Sequence, residues 1–104
     1  MKRWGTETIM FSGAYLFKKL VLNAGKQTSM HFHYAKCETL YIISGKLRVE
    51  FHGQITDAIL VSGSWYTIRE GRSNAHRMVN DGPDDCVYLE ASTPHECDSE
   101  RIIE

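Results

Sequence analysis

The chain has no excess of charge. Its 12 Lys and Arg residues stand against 13 Asp and Glu, leaving a formal net charge of −1 at pH 7 with the two signs interspersed. Nucleic-acid binding draws on an excess of cations that neutralise phosphates, so DNA and RNA are excluded as expected partners. Long apolar runs are also lacking, and no stretch approaches the ~20 residues of a membrane-spanning helix. The apolar stretch 9–17 follows Lys2, Arg3 and Glu7 and meets Lys18 and Lys19 with no small-residue cleavage site, so it is not expected to be a secretory leader. The three cysteines, Cys37, Cys86 and Cys97, are odd in number and lack C-x-x-C spacing. Free thiols in a reducing cytoplasm are the expectation. No apolar period of 3.6 residues persists long enough for a substantial helix, and there is no internal repeat, linker or low-complexity segment. The 104 residues therefore read as one domain, 1–104, with a small core able to fold alone.

What is present is a series of short strands punctuated by turns. The strands read as 15–23, 29–34, 39–44, 46–52, 55–61, 64–69, 76–80 and 86–91. Between them stand Ala24-Gly25, Ser44-Gly45, His52-Gly53, Ser62-Gly63, a loop at 71–74 and Asp81-Gly82-Pro83. Strands of this length at nearly regular spacing predict an all-β sandwich or barrel. The polar tail from His95 ends in Ile102 and Ile103, apolar residues suited to pinning an end strand or a partner chain.

Within this series, Gly25, His31, His33, Glu38 and Gly45 stand at the spacing G-x5-H-x-H-x4-E-x6-G. Side chains alternate along a strand, so His31 and His33 share a face and both imidazoles can reach one cation. Residues 34–37 can form the connection that returns Glu38 beside them as a third ligand. The glycines sit where tight turns favour positive φ. Cys37 adjoins Glu38, and alternation turns its sulfur away, as expected of a structural thiol. His52 and His95 read as solvated, Phe11, Phe17, Phe32 and Phe51 as packing residues, and Trp4 as a cap on one end of the barrel. Trp65 and Tyr66 alternate, one facing in and one out.

This pattern resembles the first motif of the cupin superfamily. The second motif, roughly G-x5-P-x-G-x2-H-x3-N, is followed by Gly63, Gly71, His76 and Asn80, with Arg69 in place of proline and two extra residues before His76. Trp4-Gly5, Lys19-Leu20, Ser29, Ser44-Gly45, His76-Arg77 and the Glu90-Ala91-Ser92-Thr93-Pro94 ending with Asp98 and Arg101 look like the mannose-6-phosphate isomerase-like cupin domains, although that group often has glutamine where His31 stands. The resemblance implies a double-stranded β-helix or jelly-roll barrel. It also implies His76 as a fourth ligand, placing the extra residues in the preceding loop. Three histidines and one carboxylate would leave open positions on a divalent transition metal such as Fe, Mn, Ni, Cu or Zn.

A cation inside such a barrel needs an anionic ligand or another compensation. Lys19 and Arg48 are the candidate substrate-binding residues, with Lys36 and Arg77 at the mouth. The leading reading is an isomerase or epimerase-like enzyme on a sugar, sugar phosphate or hydroxy-carbonyl acid. The metal would polarise the carbonyl while a base, Tyr66 or a metal-bound water, moves the proton. The alternatives are an Fe-dependent dioxygenase and a non-catalytic, metal-dependent binding module, since fold alone does not choose. The expected partner is a small, anionic molecule. Exposed sheet edges further predict a homodimer, with 4–10 and 15–22 contributing.

Overall fold

The computed structural model describes residues 2–95 and 97–103. Ten strands run in chain order: β1 (Gly5–Ser12), β2 (Leu16–Leu22), β3 (His31–His33), β4 (Glu38–Ser44), β5 (Lys46–Phe51), β6 (Ala58–Val61), β7 (Trp65–Ile68), β8 (His76–Val79), β9 (Cys86–Ser92) and β10 (Ser99–Arg101). They form two antiparallel five-stranded sheets, ordered β1-β2-β9-β4-β7 and β10-β3-β8-β5-β6. This is the expected jelly-roll arrangement of the double-stranded β-helix. No helix among the described residues is long and apolar enough to cross a membrane.

Period-two alternation builds the interior. Leu16, Leu20 and Leu22 of β2, Leu40 and Ile42 of β4, Leu47 and Val49 of β5, and Cys86 and Tyr88 of β9 are all buried. With Leu60, Ile68 and Met78, all of these but Leu16 form a continuous core between the sheets. A smaller cluster of Met30, Phe32 and Ala75 is covered by Ile102. The tail thus does pin an end strand, β10, which pairs with β3.

The eight expected strands are present with shifted ends: β4 and β9 each gain one residue and the other six are shorter. At 55–61 only Ala58–Val61 is strand and Ile55 lies fully in solvent. β1 lies ahead of the strands read from the sequence, which begin at 15. Its Glu7 points inward to Lys18, 2.5 Å away.

Two motif residues have plain backbone roles. Gly45 joins β4 to β5 at φ 84°, and a Cβ there would lie 2.6 Å from the Asp85 carbonyl oxygen. Asn80 is buried. Its Nδ2 donates to the carbonyls of Leu22 at 2.8 Å and Asp84 at 2.9 Å, and its Oδ1 accepts from the Gly82 N–H at 2.8 Å. One side chain therefore ties the end of β2 to the loop between β8 and β9. Asn80→Ala strands three backbone groups and should cost about 2–4 kcal/mol of stability, because unpaired buried polar groups forfeit their full desolvation energy. Urea unfolding of parent and variant measures the difference, and a loss under about 0.5 kcal/mol would rule out this role.

Candidate functional site

Strand register assembles the candidate cluster. His31 and His33 lie on β3, one residue apart and on one face, and His31 is paired with His76 of β8. The ring centroids of His31 and His76 are 4.7 Å apart, and those of His31 and His33 are 5.2 Å apart. Glu38 enters from the other sheet. Its Oε1 lies 3.2 Å from His76 Nε2, and its Oε2 lies 3.9 Å from His33 Nε2. Glu38 is 2% exposed and His76 1%. The four expected ligands thus converge from two motifs and two sheets.

Each histidine is tethered by its outer nitrogen. Nδ1 of His31 contacts the Ser29 carbonyl at 2.7 Å, Nδ1 of His33 contacts Asp98 Oδ1 at 2.8 Å, and Nδ1 of His76 contacts the Asn74 carbonyl at 2.9 Å. A carbonyl or carboxylate partner makes Nδ1 the protonated donor and leaves Nε2 with a lone pair. The extra residues before His76 form a short 3-10 turn, Arg72–Asn74, whose last carbonyl provides one of these tethers. Asp98 also accepts from the N–H groups of Ala35 and Lys36 at 2.7 and 3.0 Å, so it positions both His33 and the loop leading to Glu38.

The geometry leaves two buried atoms without a hydrogen bond, Glu38 Oε1 and His76 Nε2. They stand 3.2 Å apart, and with the proton on Nδ1 neither atom has a hydrogen to donate to the other. No group of three or more His, Cys, Asp or Glu side chains among the described residues already stands as a finished metal-binding set. The donor chemistry nonetheless fits a cation: an orphaned carboxylate oxygen and an orphaned imidazole nitrogen face each other, and a buried polar atom without a partner is costly. Burial first, then the neighbouring His76, push the His31 imidazole down to about 4. Burial also lowers His33, against the pull of Glu38 and Asp98. Both are therefore neutral at pH 7, the form that ligates metals. Burial alone would raise the Glu38 carboxyl, but His76, Lys36 and His33 hold it below its ordinary value.

A cavity of about 410 Å³ opens beside the cluster and is lined by His31, His33 and Glu38 together with Lys18, Lys36 and Glu90. Lys36 Nζ bonds to Glu90 Oε2 at 2.9 Å and lies 3.6 Å from Glu38 Oε2. All three residues are buried. Burial, and then the charge of Glu38, push the Glu90 carboxyl up to about 7, with Lys36 pulling the other way. Burial would depress the Lys36 ammonium, but Glu90 and Glu38 reverse the effect and raise it.

The cupin-domain family model matches residues 19–92. The chain belongs to the cupin family. No curated protein matches its sequence. Among solved structures, this cupin is similar to a Klebsiella pneumoniae protein with a double-stranded β-helix domain, at 15% identity and a TM-score of 0.83, over 100% of this chain and 89% of the other. The polyketide cyclase RemF from Streptomyces resistomycificus gives a TM-score of 0.84 at 15% identity, over 98% and 73%. A putative sugar phosphate isomerase from Acidithiobacillus ferrooxidans gives 0.71 at 21% identity, over 86% of this chain and 56% of the other. This cupin thus spans about half the length of that last protein, and likenesses this distant speak for the fold alone.

The other expected site residues lie elsewhere in this cupin. Lys19 does not line the cavity; it is exposed on β2, on the face opposite its inward neighbours Lys18 and Leu20. Arg48 also points away from the interior, bonded to Asp81 at 2.9 and 3.1 Å, Asp57 at 3.0 Å and Glu50 at 3.1 Å. Expecting both inside is corrected by parity: Leu16, Leu20 and Leu22 make even positions of β2 inward, and Leu47 and Val49 make odd positions of β5 inward. Arg77 shares the outer face with Arg48, bonding Glu50 at 2.7 Å. Tyr66 pairs with inward Leu40, but its ring packs on Phe51 and does not line the cavity. Trp4 lines it, in keeping with its expected capping place. Glu90, Lys18 and the Asp98 tether were missed as site features. For Glu90 a signal existed, since it shares the parity of Cys86 and Tyr88.

A pH prediction follows from His31. The folded imidazole stays neutral to about pH 4, whereas in the unfolded chain it takes a proton near ~6.5. The unfolded state then binds more protons between these values, so the metal-free protein loses stability as pH falls through that window. His31→Gln should show a smaller drop in Tm between pH 7 and pH 4.5 than the parent, and an equal drop would exclude His31 as a source.

Proposed function

We propose that this cupin is a homodimeric, metal-dependent isomerase acting on a small hydroxy-carbonyl compound such as a sugar or sugar phosphate. The observation that carries the reading is the Lys36–Glu90 pair, buried and facing the same cavity as the histidines and Glu38. It is an acid–base pair additional to the metal ligands. Neither a binding module nor a dioxygenase requires one, and a 1,2-proton transfer does. The sequence resemblance to mannose-6-phosphate isomerase-like cupin domains supports the same reading, as does the fold shared with the putative sugar phosphate isomerase.

His31, His33, Glu38 and His76 would hold one divalent ion, with Fe, Mn, Ni, Cu and Zn all suited to such a donor set. The bound ion supplies Lewis-acid polarisation of a substrate carbonyl. The chain itself does the rest. Glu90, poised near neutrality, takes the proton from the carbon beside the carbonyl and returns it to the former carbonyl carbon, while the hydroxyl proton on the first carbon passes to the former carbonyl oxygen. Lys36 compensates the carboxylates and donates hydrogen bonds to the substrate oxygen on which negative charge gathers. Leu20, Met78 and Tyr88 in the cavity wall keep water out and the local dielectric low. Glu90 replaces Tyr66 as the base in this reading, because Tyr66 does not line the cavity.

Deuterium wash-in from D2O at the carbon beside the carbonyl, measured over a panel of aldoses, ketoses and their phosphates, tests the proposal. The metal-loaded parent should catalyse exchange. Glu90→Gln should lower it at least ~100-fold while keeping its metal, and His33→Ala should lose the metal and the Tm increment it brings. No exchange by the loaded parent, or full exchange by Glu90→Gln, would remove the isomerase reading.

The homodimer rests on the edge of the first sheet. β1 is an edge strand, and Ile9, Met10, Phe11 and, at the turn after it, Tyr15 are exposed. Exposed edges of this kind are commonly covered by pairing. Light scattering at micromolar concentration should give twice the mass of one chain, and a single-chain mass would exclude the dimer.

A further inference from the structure

We infer a second binding subsite at the cavity mouth, built by Arg3 and Arg101 together with Trp4, that takes an oxyanion, the phosphate or carboxylate of the substrate. It deepens the isomerase reading, and rests on it only for the identity of the molecule that bears the anion. A cavity of about 350 Å³ is lined by Arg3, Trp4, Gln27, Thr28, Ser29 and Arg101. Four of these, Trp4, Thr28, Ser29 and Arg101, also line the larger cavity, so the two spaces adjoin across a shared wall.

The charge in the two spaces differs in kind. In the larger one, the lysines are met by acids: Lys18 and Lys2 by Glu7, and Lys36 by Glu90 and Glu38. The smaller one has two guanidinium groups and no carboxylate among its described lining residues. Neither Arg3 nor Arg101 forms an ion pair with a described residue. A guanidinium offers a planar fork matched to two oxygens of a phosphate or carboxylate. Two such forks, with the Gln27 amide and Ser29 hydroxyl as further donors, make a site selective for oxyanions.

Register ties the subsite to the candidate metal cluster. Arg101 of β10 is paired with His31 of β3, and His31 with His76 of β8. Directly paired residues in antiparallel strands share a face, and neighbouring strands lie about 4.8 Å apart. Arg101 therefore stands one strand from His31 along a single row. Ser29, whose carbonyl tethers His31, lines the subsite as well. A substrate with its hydroxy-carbonyl end at the cluster would place an anion a few bonds away at this mouth. The anion role once expected of Lys19 and Arg48 belongs here.

The test titrates inorganic phosphate and malonate, at constant ionic strength, into the metal-free protein by calorimetry, so that an oxyanion bound to the metal is not counted. The parent should bind at least one of them. Tighter phosphate binding assigns a phosphorylated substrate and tighter malonate binding a carboxylate one. Arg101→Met and Arg3→Met should each weaken binding roughly tenfold, with metal uptake and Tm unchanged, and Arg48→Met on the outer face should not. No binding of either probe by the parent would overturn the subsite, as would parental affinity in Arg101→Met or an equal loss in Arg48→Met. These outcomes are separate from the exchange assay. Arginine-dependent phosphate binding without deuterium exchange would remove the isomerase reading and leave the subsite standing, and the reverse would remove the subsite alone.

Discussion

A carboxylate taken out of water is the constraint around which the polar end of this protein is arranged. Glu38 lies between the sheets with almost no exposure, where an isolated charge costs several kcal/mol or more. Lys36 at 3.6 Å answers that cost, and the imidazoles of His76 and His33 stand beside it at 3.2 and 3.9 Å. Lys36 in turn is balanced by Glu90. Removing Lys36 would leave the buried Glu38 and Glu90 carboxylates without a cation. The set is stable as a unit and polar as a unit, and it is the part of the interior that does not follow hydrophobic logic.

The scaffold around it works by alternation. The same sheets that pack leucines, isoleucines and valines into the main core present histidines, lysines and glutamates at inward positions at the other end, without any change of backbone geometry. Orientation is then set by the chain's irregular parts. The carbonyls of Ser29 and Asn74 and the carboxylate of Asp98 hold the three imidazoles by Nδ1. Asp98, far along the chain from His33, reaches it because β10 pairs with β3. A short C-terminal strand that adds little to the core is thus what fixes one imidazole and shapes the mouth of the cavity.

Local departures from good packing concentrate where chemistry is expected. The orphaned Glu38 Oε1, a carboxyl raised towards neutrality at Glu90 and an imidazole depressed at His31 belong to residues that line one cavity, and the orphaned His76 Nε2 lies behind Glu38. Proteins commonly tolerate such violations at functional sites and compensate for them in the rest of the fold. Here the rest is a tightly alternating sandwich whose turns are closed by Gly45 and Asn80.

The sequence by itself determined the strand-and-turn rhythm, the shared face of His31 and His33, the return of Glu38, and through the cupin resemblance the fourth partner His76. These are properties of spacing, and a two-residue period converts spacing into facing with no knowledge of distant segments. Parity within β2 and β5 was legible too, since Leu16, Leu20 and Leu22 identify Lys18 as the inward lysine. Only the tertiary structure decided the rest. The Lys36–Glu90 pair joins residues 54 positions apart, and the His33–Asp98 tether joins residues 65 apart. Arg101 stands beside His31 because β10 folds back along β3. Such contacts depend on which strands become neighbours, and neighbour choice is set by how the two sheets close over a common core, a free energy summed over the whole chain and written in no single segment of it.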